Sequence, residues 1–364
     1  MLCCRDPRQP ITWLARHVSF TPQRLEEERR LIIDCHAHAL HEAFLDALCR
    51  KPAFGLAAER GKDQRFWIRR GDARAHSLDE NLFDIPKRIE SLARRGVTLQ
   101  LIAPPPGFVA WPGGAAGVEY ARALNEHGAR IAREGGERLE LMATLALGEP
   151  EKCAYELERA VDTYGVRSAL LPSSAGGRPL DGPEFEALFA STERLGLLLF
   201  MHPVSAEPPA RFPLYGMQVL VQWPFETTLA VTRMIFEGVF DRHPRLKLLL
   251  AHGGGNLIYL KGRLNSAYEA EGWEADPYYR KNVSKAPGDY FRQIYFDTCA
   301  LSPESVAFTI QIAGADRVMF GTDYPFDIGD PEAKRAMPAL DRLADEAKRK
   351  VFHENATAVL NAAA

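Results

Sequence analysis

Eight short apolar runs recur along the chain, rich in leucine and β-branched residues and ending in polar or turn-forming positions. They are Leu31 to His38, Thr98 to Ala103, Leu141 to Leu147, Ser168 to Pro172, Leu197 to His202, Leu246 to His252, Ile294 to Thr298, and Val318 to Asp323. Runs this short and nearly continuously apolar predict parallel strands covered by helices on both faces, since a half-exposed strand would alternate. The gaps hold amphipathic stretches at Ile85 to Arg95, Tyr120 to Arg133 and Glu151 to Tyr164, and parallel strands need such crossovers. At eight βα units a parallel sheet closes on itself and loses its exposed edges. The pattern therefore predicts an α/β chain folded as a single (β/α)8 TIM barrel over residues 1–364.

Two gaps are expected to hold insertions, one after strand one and one after strand five. The stretch 39–78 carries Pro52, Gly55, Gly61 and Gly71 among many basic residues, which predicts an inserted loop or subdomain over the barrel mouth. Val204 to Trp223 is rich in proline and aromatics and should lie over the same mouth. Long loops on a rigid scaffold are where substrate contacts are usually found.

Composition narrows the function classes. Hydrophobic residues make up 46% and charged residues 26% of the chain, the balance of an ordinary globular protein. Its 45 basic and 48 acidic residues form no long block of one sign, so no nucleic-acid footprint is expected. No window approaches the ~20 apolar residues of a membrane span. The six cysteines, at positions 3, 4, 35, 49, 153 and 299, lack the spacing of a disulfide framework or zinc finger, which fits a reducing cytoplasm.

The chemistry gathers at the strand ends. In a barrel of this kind the C-terminal ends of all strands open into one mouth, and here four of them carry, between them, five groups able to bind metal or move protons. His36 and His38 are two apart on strand one, so period-two geometry turns both to one side. His202 ends strand five, and His252 ends strand six before Gly253-Gly254-Gly255. Asp323 ends strand eight within Gly321-Thr322-Asp323-Tyr324-Pro325. Imidazoles plus a carboxylate form a donor set for a divalent ion that leaves a coordination position open. A single buried histidine is more often a hydrogen-bonded core residue, but five such groups at strand ends argue for a site. Strand four ends at Ala169-Leu170-Leu171-Pro172 without a lysine or cysteine to bridge a second ion, so one metal is expected.

These residues give the chain a family likeness. Ile33-Asp34-Cys35-His36-Ala37-His38, Met201-His202-Pro203, Pro224-Phe225-Glu226-Thr227-Thr228, Ala251-His252-Gly253-Gly254-Gly255 and Gly321-Thr322-Asp323-Tyr324-Pro325-Phe326 resemble the amidohydrolase superfamily. The resemblance is to its amidohydrolase-related branch, which includes aminocarboxymuconate-semialdehyde decarboxylase and the nonoxidative aromatic acid decarboxylases. The resemblance implies that His36, His38, His202 and Asp323 hold one divalent metal, zinc in the first instance and manganese as the alternative. It implies that His252 serves as the acid/base or water-activating residue. Loss of carbon dioxide leaves a carbon that must be protonated, and Asp323 and His252 are the candidate donors. The resemblance also implies that Arg263, eleven residues beyond His252, reaches a neighbouring subunit's site to hold a substrate carboxylate, and hence that the chain is a homodimer. Arg74 and His76 of the first insertion, together with Phe326, are the further substrate-contact candidates, and Arg211 is a possible anion contact. One position departs from the muconate-semialdehyde decarboxylase pattern: Val204 stands where a tryptophan is expected after His-Pro.

The expected activity is metal-dependent nonoxidative decarboxylation of a small unsaturated or aromatic carboxylic acid. The same constellation also suits hydrolysis of a lactone or amide, or hydration of an unsaturated acid.

Overall fold

A computed structural model of the chain describes residues 31–71, 75–109, 114–204, 215–271 and 278–363. In chain order its strands are β1 (Ile33–His38), β2 (Leu56–Arg60), β3 (Phe66–Arg70), β4 (His76–Ser77), β5 (Leu99–Ala103), β6 (Leu139–Thr144), β7 (Ser168–Pro172), β8 (Leu198–His202), β9 (Lys247–Leu250), β10 (Ile294–Asp297) and β11 (Val318–Met319). Eight of these form one parallel sheet in the order β1-β5-β6-β7-β8-β9-β10-β11. The ring closes where Ala37 bridges Tyr324 and where the Cys35 and His38 amides donate to the Phe320 and Tyr324 carbonyls at 2.8 and 2.7 Å. Helices stand between successive strands, including Ile85–Arg95, Ala115–Gly135 and Pro150–Tyr164. This is a (β/α)8 barrel.

One apolar cluster takes side chains from all eight barrel strands, among them Ile33, Leu101, Met142, Leu170, Phe200, Leu249, Tyr295 and Met319. A cluster fed by every strand is the barrel interior, and its close packing makes the ring a rigid support rather than a pore. Three strands stop at least two residues short of the apolar runs that predicted them. Leu145, Ala146 and Leu147 are fully buried, yet β6 stops at Thr144, because apolarity reports burial and not ladder pairing. Strands β9 and β11 end at Leu250 and Met319, which leaves His252 and Asp323 in the loops that follow.

Strand β1 has a local irregularity with consequences for the site. Its register against β5 runs Asp34 to Gln100 and then Ala37 to Ile102, so one extra residue is inserted on the β1 side. Such a bulge re-aims the side chains beyond it. Ile33 and Cys35 belong to the interior cluster, and His36 and His38 are buried beside it.

The chain after β1 forms the helix Glu42–Arg50 and the antiparallel sheet β2-β3-β4. His41 caps that helix, its Nδ1 accepting the Ala43 amide at 3.0 Å. On β3 the alternation is clear, with Phe66 and Ile68 buried and Trp67 and Arg69 outward. The buried face packs with Phe44, Leu45, Phe108 and Tyr120, and Phe326 lies at the edge of this cluster.

Candidate active site

Strand β8 delivers His202 on the same face as Leu198 and Phe200, which line the barrel interior. The rings of His36, His38 and His202 stand 5.0 to 5.3 Å apart, and the His252 ring is 4.9 Å from His202 and 5.2 Å from His36. One donor atom from each of His36, His202, His252 and Asp323 falls within 4.8 Å of all the others. His38 adjoins this group, its Nε2 lying 3.3 Å from His36 Nε2 and 3.1 Å from Asp323 Oδ1.

Three of the imidazoles are tethered from behind. His36 Nδ1 lies 2.6 Å from Asp297 Oδ2, His38 Nδ1 lies 3.1 Å from the Pro104 carbonyl, and His202 Nδ1 lies 2.9 Å from the Pro203 carbonyl. An acceptor at Nδ1 fixes the proton there and leaves the Nε2 lone pair free, the arrangement typical of metal-binding histidines. His252 differs: its Nδ1 is buried without a partner among the described residues, and its Nε2 is 3.6 Å from Asp323 Oδ2.

Asp323 Oδ1 lies 3.2 and 3.1 Å from the Nε2 atoms of His36 and His38 but, although buried, has no hydrogen-bond partner among the described residues. Lone pairs turned toward one another at such distances repel unless a positive charge sits among them. In the metal-free chain a proton supplies it. Burial disfavours the His36 imidazolium, but the carboxylates of Asp323 and Asp297 outweigh this and push its pKa up to about 10. Burial would likewise raise the Asp323 carboxyl, yet the charge on His36 and the nearby rings of His252 and His38 hold it well below its ordinary range. Burial lowers His38, and it lowers His202 further with the neighbouring imidazoles acting in the same direction. A divalent cation meets the same electrostatic demand as the proton, and the nitrogen and carboxylate donors suit one.

Two acids that the sequence reading did not single out support the cluster. Asp297, at the end of β10, accepts the His252 amide at 3.1 Å, the Gly253 amide at 2.7 Å and the Cys299 amide at 3.0 Å in addition to His36. It ties strands one, six and seven together, and an acid at a strand end was the signal that marked it. Asp34 accepts Gln100 Nε2 at 2.8 Å, Thr322 Oγ1 at 2.6 Å and the amides of His36 and Thr322, joining β1 to the Asp323 loop. Gly321 is required beside it, because a Cβ there would lie 2.9 Å from His36 Cβ and 3.1 Å from Asp297 Cβ. Trp223 was also missed as a site residue; its ring is 5.7 Å from His202.

The remaining candidates are scattered. Phe326 is half-buried with its ring 5.3 Å from His38. His76 is exposed on β4 and makes no hydrogen bond, ion pair or ring contact with the histidine cluster. Arg263 is exposed on the helix Leu257–Glu269 and has no ion pair among the described residues. Arg74 and Arg211 lie outside the described residues. No helix among the described residues is long and apolar enough to cross a membrane.

A barrel with buried histidines and a carboxylate at its mouth defines a class of metal-competent enzymes. The family described as Amidohydrolase matches residues 33–362, and the chain belongs to this family. The 2-amino-3-carboxymuconate-6-semialdehyde decarboxylase of Dictyostelium discoideum is 31% identical over 283 residues, 77% of this chain and 77% of that protein. A gamma-resorcylate decarboxylase of Rhizobium sp. is 28% identical over 264 residues, 69% of this chain and 80% of that protein. The crystal structure of 5-carboxyvanillate decarboxylase from Novosphingobium aromaticivorans, complexed with manganese and 4-hydroxy-3-methoxy-5-nitrobenzoic acid, superposes with a TM-score of 0.72. It is 21% identical, and the match covers 92% of this chain and 97% of that one.

Proposed function

We propose that this chain is a metal-dependent nonoxidative decarboxylase of a small aromatic or unsaturated carboxylic acid. The observation that carries the reading is the buried donor cluster, whose lone pairs converge with no neutral means of satisfying them. The likeness to decarboxylases supports the choice of reaction over hydrolysis of a lactone or amide, or hydration, which is not favoured. His36, His38, His202 and Asp323 would hold one divalent ion, zinc or manganese. When bound, it supplies Lewis acidity toward the substrate's oxygens.

The chain's own groups account for the rest. The carbon–carbon bond to the carboxylate breaks, its electron pair stays on the substrate carbon, and that carbon must then receive a proton. His252 is the proposed donor: unlike the three strand histidines, its Nδ1 has no hydrogen-bond partner among the described residues, and its side chain is 16% exposed. Asp323 Oδ2 lies 3.6 Å from His252 Nε2. Phe326, His76 and Arg74 are the proposed contacts to the substrate within the chain.

Arg263 is the proposed carboxylate contact across a homodimer. Supporting that assembly, Val221, Phe225 and Leu229 are exposed at four-residue spacing along one helical segment, an apolar stripe that a second subunit would cover. Tyr259, 80% exposed one turn before Arg263, extends it. The free thiols of Cys35, Cys49, Cys153 and Cys299 support a reducing cytoplasmic setting.

The test is carbon dioxide release from a panel of aromatic and unsaturated acids, with the protein's metal content measured in parallel. Release that chelation abolishes and metal restores is the expected outcome. Hydrolysis or hydration products without carbon dioxide would overturn the reading.

A further inference from the structure

The departure at Val204 leaves the site without the indole expected after His202-Pro203, and the structure brings one from elsewhere. Trp223 opens the helix Trp223–Phe236. Its ring lies 5.7 Å from His202 and 6.4 Å from His252, tilted only 22° from the latter. Its Nε1–H is buried and has no hydrogen-bond partner among the described residues. An unmatched buried donor is destabilising, and it persists where a ligand supplies the acceptor.

The position of this ring is fixed by the loop that carries His252. Thr228 Oγ1 donates to the Pro224 carbonyl at 2.8 Å and accepts the Asn256 amide at 2.8 Å. Gly255 passes so close to the Pro224 carbonyl that any side chain there would collide with it. The motif Pro224-Phe225-Glu226-Thr227-Thr228 thus clamps the start of the helix onto the turn after His252, and Trp223 is held at that junction.

We propose that Trp223 determines substrate specificity: a substrate ring lies against its indole, and Nε1–H donates to an acceptor oxygen carried by that ring. This rests on the decarboxylase reading and adds to it the side chain that reads the substrate's ring and the oxygen on it.

The experiment measures binding and turnover separately, on the purified protein with its metal content determined. Calorimetric affinities for benzoate, its three monohydroxy isomers and an aliphatic dienoic acid are compared among wild type, Trp223→Phe and Trp223→Leu. Wild type should bind at least one hydroxy isomer about tenfold more tightly than benzoate, the scale of one hydrogen bond lost from a polar-specific site. Trp223→Phe should abolish that preference while leaving benzoate affinity nearly unchanged, and Trp223→Leu should weaken benzoate as well, by up to about tenfold. A preference that survives Trp223→Phe overturns the proposal, as does failure of every aromatic acid to bind wild type. Should Trp223→Leu fail to fold, the phenylalanine variant decides. If the affinities follow the expected pattern but no acid releases carbon dioxide, the reaction assignment fails and the specificity role stands.

Discussion

The site has two halves that are built differently. His36, His38 and His202 lie within strands β1 and β8, each ring tethered through Nδ1 to an oxygen. His252 and Asp323 lie in loops beyond β9 and β11, both with left-handed backbone at φ 56° and 58°. Non-glycine residues rarely adopt that conformation, and it is held only where the surroundings enforce it. The strand half is rigid and its protons are assigned by its tethers, which is what holding an ion requires. The loop half keeps one untethered ring, which is what moving a proton requires.

Exchanging residues between these roles gives the largest expected effect. His252→Asn should lower kcat by about a thousandfold, within the usual range for loss of a positioned acid or base, while metal content stays near that of wild type. His36→Ala should be equally inactive but should emerge from purification with little metal. Elemental analysis beside activity separates the two, and a metal-free His252→Asn would erase the distinction between the halves.

Asp297 is where the halves meet, since it accepts both the His36 ring and the His252 and Gly253 amides. Asp297→Asn removes the charge that orients His36, and second-sphere changes of this sort weaken metal binding by roughly 10- to 100-fold. Competition with a chromophoric chelator would measure it. Unchanged affinity would mean that strand packing alone orients the ring.

A pH dependence of the strand half follows from the His36 pKa of about 10, raised from an ordinary 6.5. In the metal-free chain the His36 proton stabilises the fold fully below pH 6.5, and that contribution fades as pH rises toward 10. Metal must displace the same proton, so metal affinity should climb by about tenfold per pH unit between neutrality and pH 10. Calorimetry in two buffers of different ionisation enthalpy should report about one proton released from this ring per ion. Uptake without proton release would contradict the electrostatic description.

The two halves also differ in how far they could be read from sequence. The eight apolar runs locate every barrel strand because burial on both faces leaves no alternation to confuse, and His36, His38 and His202 stand inside those runs. The same signal overran at Leu145 to Leu147 and placed His252 and Asp323 on strands that stop short of them, since ladder ends depend on backbone dihedrals that composition does not report. The bulge in β1 was invisible for the same reason: it depends on pairing with β5. Trp223 escaped notice because the expected tryptophan belonged beside His202 in sequence, whereas the helix clamped against Gly255 brings this one beside His202 in space.

The smallest expected effect concerns the sheet β2-β3-β4, which lies outside both halves. Its buried face reaches the site's rim through Phe326, whose ring abuts His38, but His76 on β4 is exposed and touches none of the cluster. An exposed side chain with no fixed partner contributes within about 0.5 kcal/mol, or roughly two- to threefold in an equilibrium constant. His76→Ala should therefore raise KM by no more than about threefold and leave kcat and metal content unchanged. A loss of tenfold or more in kcat/KM would show that β4 reaches the substrate, and the division into a tethered strand half and an untethered loop half would then have to include this sheet as a third part of the site.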